Sequence, residues 1–240
     1  MMGTSERASH SPGTPGTSGA STAYREQIVS GLEPVRPLAS PSRRVWMLVP
    51  LGVLFVASVP LLTGSRRDLV AYSPLITWVA TGVQSLAGLW LLALGFREAV
   101  PGRNVSRRSL AIAAGSTVAL MVAVTFATYA VSRTVVPVGR EWRDWSECVV
   151  WPAMLGAPFM VIATLMAVRA FPTRPALAGG LCGLAAGVLS DAGWRLSCGI
   201  SDPVHILDAH GLAMLLLAAA GALLAIAADR PRWTRLHRST

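Results

Sequence analysis

The sequence predicts an all-α fold: a polytopic membrane protein, a six-transmembrane-helix bundle with a disordered N-terminal extension. Three observations predict it. Of the 240 residues, 52% are hydrophobic and only 14% charged, where soluble domains carry roughly 25% charged residues. Six apolar runs follow one another, each near the ~20 residues that a ~30 Å hydrocarbon core demands of a helix. The basic residues fall in the gaps between those runs, and their density alternates from gap to gap.

In chain order, residues 1–22 are Ser, Thr, Gly and Pro with scattered charge. Such a segment buries too little apolar surface to offset its ordering entropy, so it reads as disordered. It has neither an apolar h-region nor a small-residue cleavage site, so it is not a secretory signal peptide. A leader, residues 23–44, precedes the transmembrane domain of residues 45–228. Its six runs fall at about 45–63, 75–96, 110–131, 149–170, 176–196 and 203–228, followed by a tail over 229–240. The fifth run gives the weakest membrane signal because it holds Gly179, Gly180, Gly183 and Gly187. Gly179, Gly183 and Gly187 nevertheless form a small-xxx-small stripe suited to close helix contact. Backbone groups in lipid must bond internally, so each run should be a helix.

Every one of the 21 basic residues is Arg. The N-terminal segment holds Arg7, Arg25, Arg36, Arg43 and Arg44; the gaps after the second and fourth runs hold Arg97, Arg103, Arg107, Arg108, Arg169 and Arg174; the C-terminus holds Arg230, Arg232, Arg235 and Arg238. The alternate gaps hold Arg66, Arg67, Arg133, Arg140, Arg143 and Arg195, which makes fifteen against six. The positive-inside rule then places both termini in the cytoplasm; the absence of Lys and the Ala, Gly and Val bias suggest a GC-rich bacterial genome, and the expected location is a bacterial inner membrane. Topology alone accounts for the net charge of +9. No direct binding of nucleic acid is expected; the lipid bilayer is the first partner.

With this orientation Cys148 opens the fourth helix and Cys198 follows the fifth, both at the outer boundary, where thiols can be oxidised. They read either as a redox-active or metal-binding pair or as two small buried hydrophobes. Cys182 lies in the opposite half of the fifth helix, too far to join them, and reads as a packing residue. The segment from Cys198 to His210, CGISDPVHILDAH, gathers one thiol, Asp202, Asp208, His205 and His210. With Cys148, the residues Cys198, His205, Asp208 and His210 could bind a transient soft or borderline metal ion; no resident cofactor is implied. The bland alternative explains part of the segment: Asp202 before Pro203 is a helix N-cap. Asp208 calls for a partner, and His205, three residues earlier, shares its face; His210, five residues after His205, falls well off it.

Gln84, in mid-helix, predicts an interhelical hydrogen bond. Asp191 and Arg195, four apart, predict a local ion pair. No His-Glu-x-x-His or Gly-x-Ser-x-Gly motif is present, so nothing points to an enzyme. In the leader, YREQIVSGLEPVRPL (24–38), Ile28 and Leu32 are four apart, which suits a short amphipathic helix ending before Pro34. It could dock in a partner's groove or lie on lipid, with its arginines on anionic headgroups.

Taken together, the leader GLEPVRPL, the loop and helix PTRPALAGGLCGLAAG (172–187), the paired Cys148 and Cys198, and the SDPVH…AHG segment (201–211) resemble the NrsF-type membrane anti-sigma factors. The long extension before Tyr24 departs from that family's short N-terminus. The resemblance implies a six-helix membrane protein that holds an extracytoplasmic-function sigma factor through its N-terminus. It also implies that Cys148 and Cys198 are sensing thiols, and that Ile28, Leu32, Val35, Arg36 and Leu38 contact the sigma factor. Two other classes compete: a small-molecule or metal-ion transporter, with Gln84, Asp191, Asp208 and His210 along its path, and a purely structural membrane subunit.

Overall fold

A computed structural model describes residues 38–66, 74–131 and 142–236, together with positions 24, 26, 27, 29 and 30. Two units are distinguished, Met1–Leu38 and Ala39–Thr240. In the first, the described positions from 24 to 30 are helical, and Ser30 Oγ donates to the Gln27 carbonyl at 3.0 Å. The expected extension (1–22) and the leader positions Ile28, Leu32, Val35 and Arg36 lie outside the described residues.

The second unit is all-helical among its described residues, and six helices are long and apolar enough to cross a membrane. α1 is Pro41–Thr63, α2 Pro74–Glu98, α3 Arg107–Val131, α4 Trp142–Val168 and α5 Pro175–Trp194. α6 is compound: a turn over Pro203–His205, a π-helical turn over Ile206–His210 and an α-helix over Gly211–Leu236. The protein is a multi-pass membrane protein. One end of the bundle carries the start of α1 and is called the leader end; the other carries Cys148 and Cys198 and is called the thiol end.

Local chemistry sets the helix starts. Ser40 caps α1 by accepting from the Arg43 amide, and Pro41 occupies the first turn, where no N–H is needed. α1 therefore begins four residues ahead of its apolar run. α5 likewise starts with Pro175 in its first turn.

α5 gives the weakest hydropathic signal, and it is the axis of the bundle: 78% of its apolar window is buried, against 17% for α1 and for α3. α6, α2, α4 and α1 all pack on it. The glycines explain both facts. A Cβ on Gly183 would collide with the Leu217 carbonyl, and one on Gly179 with the Gly221 carbonyl. α5 and α6 can therefore approach only because these positions lack side chains. Glycine lowers hydropathy while it permits the contact that buries the helix. Cys182 is fully buried on α5 and faces Gly95 of α2, far from the other thiols in the chain's topology. On the outer helices, large apolar side chains such as Leu54, Leu61, Val118, Leu215 and Leu223 are exposed, which suits a lipid solvent and would be costly in water.

The leader end is held by a polar clip. Glu98, at the end of α2, is wholly buried. It accepts from Arg174 Nε at 2.5 Å, from Arg174 Nη2 at 2.7 Å and from the Val105 amide at 2.7 Å. Arg174 also donates to the Val105 carbonyl at 3.1 Å. The clip ties the α2–α3 loop to the start of α5. Nearby Arg44, buried on α1, donates to the carbonyls of Ala39 at 2.9 Å and Met166 at 3.4 Å, which fastens the start of α1 to α4.

Candidate metal and thiol centre

At the thiol end, α4 presents Cys148, the loop after α5 presents Cys198, and the first turns of α6 present His205 and His210. All four side chains are buried, and their candidate ligand atoms lie within 4.8 Å of one another. The sulfurs are 3.7 Å apart, well beyond the ~2.05 Å of a disulfide, and no disulfide joins them.

Each group arrives by a local device. Pro152 deprives α4 of the amide that would bond the Cys148 carbonyl four residues earlier, so the turn bearing Cys148 lacks one rung of its ladder. After Trp194, α5 unwinds through tight turns, with the Cys198 amide bonded to the Trp194 carbonyl at 2.8 Å. Asp202 caps the start of α6 by accepting from the His205 amide at 2.8 Å, with Pro203 behind it, as the sequence implied.

The π-helical turn decides the fate of the two histidines. In a regular α-helix, residues five apart point about 140° away from each other. A π turn bonds residues five apart, so it stacks them. Because Ile206–His210 is π-helical, His205 and His210 share a face, with ring centroids 6.0 Å apart in an edge-to-face pose. The expectation that His210 falls off the His205 face is thus corrected. The same winding leaves Asp208 exposed, outside the four-residue group and without a bond to His205 among the described residues.

Behind the centre, Asp191 of α5 collects three partners. His210 Nδ1 donates to its Oδ1 at 2.6 Å; Gln84 Nε2 of α2 and Arg195 Nε donate to its Oδ2 at 2.6 and 2.8 Å. Arg195 Nη2 continues to Thr125 Oγ1 of α3 at 3.1 Å. The interhelical bond expected of Gln84 and the ion pair expected of Asp191 and Arg195 are therefore both present, joined in one network. The link from Asp191 to His210 had no signal in the sequence, because the residues are nineteen apart on different helices. Gln84, Asp191 and His210 form one cluster at the thiol end rather than a path along the bundle.

The Asp191 bond also sets the orientation of the His210 ring. With Nδ1 committed to Asp191, Nε2 is the ring nitrogen left for a further partner. Nε2 of His210 and Nε2 of His205 are both buried and make no conventional hydrogen bond. Cys198, in the loop, is held well below the ordinary thiol range, first by its hydrogen bond with Cys148 and then by the two imidazoles beside it. A thiolate is the form that ligates metals and attacks oxidants.

The Cys198 loop is also tied to α1. The Arg66 amide donates to the Leu196 carbonyl at 3.0 Å, Arg66 Nη2 to Ser201 Oγ at 3.0 Å, and Thr63 Oγ1 to Ser197 Oγ at 3.0 Å. These bonds clasp the end of α1 to the residues on both sides of Cys198.

The fold and site thus define a class: a compact six-helix membrane protein whose buried thiol–imidazole cluster lies at one end of the bundle. The family model described as NrsF, negative regulator of sigma F, matches residues 28–230. The chain belongs to this family and is a negative regulator of a sigma factor. Neither the curated proteins nor the solved structures yield a match.

Proposed function

We propose that the protein is a membrane-bound anti-sigma factor for an extracytoplasmic-function sigma factor. It sequesters that factor through its cytoplasmic N-terminus and releases it when Cys148 and Cys198, at the outer face of the inner membrane, sense metal or oxidative stress. Ile28, Leu32, Val35, Arg36 and Leu38 form the sigma-contacting strip. The arginine asymmetry supports this orientation.

One observation carries the reading: two reduced thiols fifty residues apart in sequence meet at 3.7 Å, at a loop clasped to α1. α1 runs from that clasp back to Pro41, which the leader reaches directly in sequence, so it offers a route along which a change at the thiols can reach the sigma-binding segment. Oxidation to a disulfide draws the two sulfurs together, and metal capture pins the Cys198 loop to α4 and α6; either changes the loop that the clasp joins to α1. Release requires that the two bundle states differ in affinity for the sigma factor; about 1.4 kcal/mol of difference gives a tenfold change.

The test replaces both cysteines with serine in the cell. The double variant should still hold the sigma factor and fail to release it under metal or oxidant challenge, as read by a sigma-dependent reporter. A response equal to wild type defeats the sensing role. Failure of the full chain to co-purify with any sigma factor defeats the regulatory one.

A further inference from the structure

We infer that Cys148, Cys198, His205 and His210 form a tetrahedral site for one divalent ion of the zinc class, and that Asp191 is the carboxylate that orients its His210 ligand. This deepens the proposed sensing role and rests on it only for its regulatory meaning; the binding claim stands on geometry alone.

Three features carry it. The first is spacing. In a tetrahedral site with Zn–S bonds of about 2.3 Å, two thiolate ligands lie about 3.8 Å apart. The observed sulfur separation is 3.7 Å. A disulfide would need that distance nearly halved, whereas an ion needs almost no movement of the sulfurs. The second is the pair of imidazoles. His205 and His210 are 6% and 1% exposed, and each has a buried Nε2 without a conventional hydrogen bond. A buried polar atom left in this way is costly unless a partner arrives. Nε2 is the atom a metal would take. The third is the carboxylate behind the ring. Ligating histidines commonly donate their other N–H to a carboxylate, which fixes tautomer and orientation. Asp191 accepts that bond at 2.6 Å and is itself pinned by Gln84 and Arg195.

Two thiolates with two imidazoles favour zinc-class ions over the oxygen-seeking magnesium and calcium. A bound ion would join α4, the loop after α5 and the π turn of α6. Through Asp191 it would also bear on α2, α5 and α3, and through the Cys198 loop on α1. Asp208 is excluded as a ligand because it is exposed and outside the group.

The test uses the reduced full-length protein in detergent, titrated with Co2+ as a spectroscopic stand-in and then with Zn2+. One equivalent of Co2+ should produce visible tetrahedral d–d bands and thiolate-to-cobalt charge transfer, and Zn2+ should displace both. His205→Ala and His210→Ala should each shift the bands and weaken binding at least tenfold. Asp191→Asn should weaken binding 10–100-fold with the bands retained, while Asp208→Asn should match wild type. Each variant is checked for an unchanged elution volume. Absence of bands in wild type overturns the inference, as does binding indifferent to both histidines. If the sigma factor is held and released by an oxidant while no bands appear, the metal site falls and the regulatory reading stands. If the bands appear and no sigma factor is retained, the metal site stands and the regulatory reading falls.

Discussion

The two ends of the bundle both bury charge, and they do so to different effect. At the leader end, Glu98 uses both carboxylate oxygens on Arg174 and on the Val105 amide, and Arg174 completes the ring at the Val105 carbonyl. Among the described residues, that ring closes on its own members. At the thiol end, Asp191 is as well supplied, yet its network stops at a histidine whose second nitrogen, like that of His205, is buried beside two thiols without a conventional hydrogen bond. A closed polar ring fixes loops. A network that ends in unpartnered imidazole nitrogens beside sulfur presents candidate ligands. The comparison separates a structural motif from a candidate site without appeal to the identity of the residues, since both ends are built on a buried acid paired with Arg.

Experiments can break that contrast. The largest effect is expected where α5 meets α6, the contact on which both ends depend. Gly183→Leu should leave little folded protein, because its side chain would meet the Leu217 backbone at a cost above the ~1–3 kcal/mol of ordinary overpacking. Yield and gel-filtration profile in detergent report it. Glu98→Ala should lower stability by about 2–3 kcal/mol, as an acid bonded to a charged donor is lost and a buried amide is orphaned. Thermal unfolding measures the loss, and Co2+ binding at the other end should be unaltered. Asp191→Asn should do the reverse, with metal affinity falling 10–100-fold and a smaller drop in melting temperature than Glu98→Ala. Thr63→Val removes one bond of the α1 clasp. It should cost no more than about 1 kcal/mol of stability while blunting the sigma-dependent reporter's response to stress. The smallest effect is expected of Asp208→Asn, within about 0.5 kcal/mol in stability and without change in metal binding. An Asp208 effect on binding would show that the ligand group extends beyond the four residues assigned to it.

Much of the bundle was legible in the sequence because hydropathy and charge are local quantities. The apolar runs gave six crossing helices, Asp202–Pro203 marked one start, and Gly179 and Gly183 marked a close contact. The rank of α5 was misleading for a physical reason. Hydropathy measures how well a segment suits lipid, and α5 faces protein. The site was only half legible. Cys148 and Cys198 were brought together by topology alone, since both had to lie at one membrane boundary. His210 was set apart from His205 because a regular helical period was assumed, and no residue in ILDAH announces a π turn.

The sequence by itself determined the class of solvent the chain occupies, the number of crossings, and the end at which thiols and imidazoles gather, because each follows from composition summed over a short window. Only the tertiary structure decided which of those groups meet. Asp191 and His210, Cys148 and Cys198, Arg66 and Leu196 are long-range pairs. Their geometry depends on helix packing and on a local change of helical period, neither of which any single segment encodes.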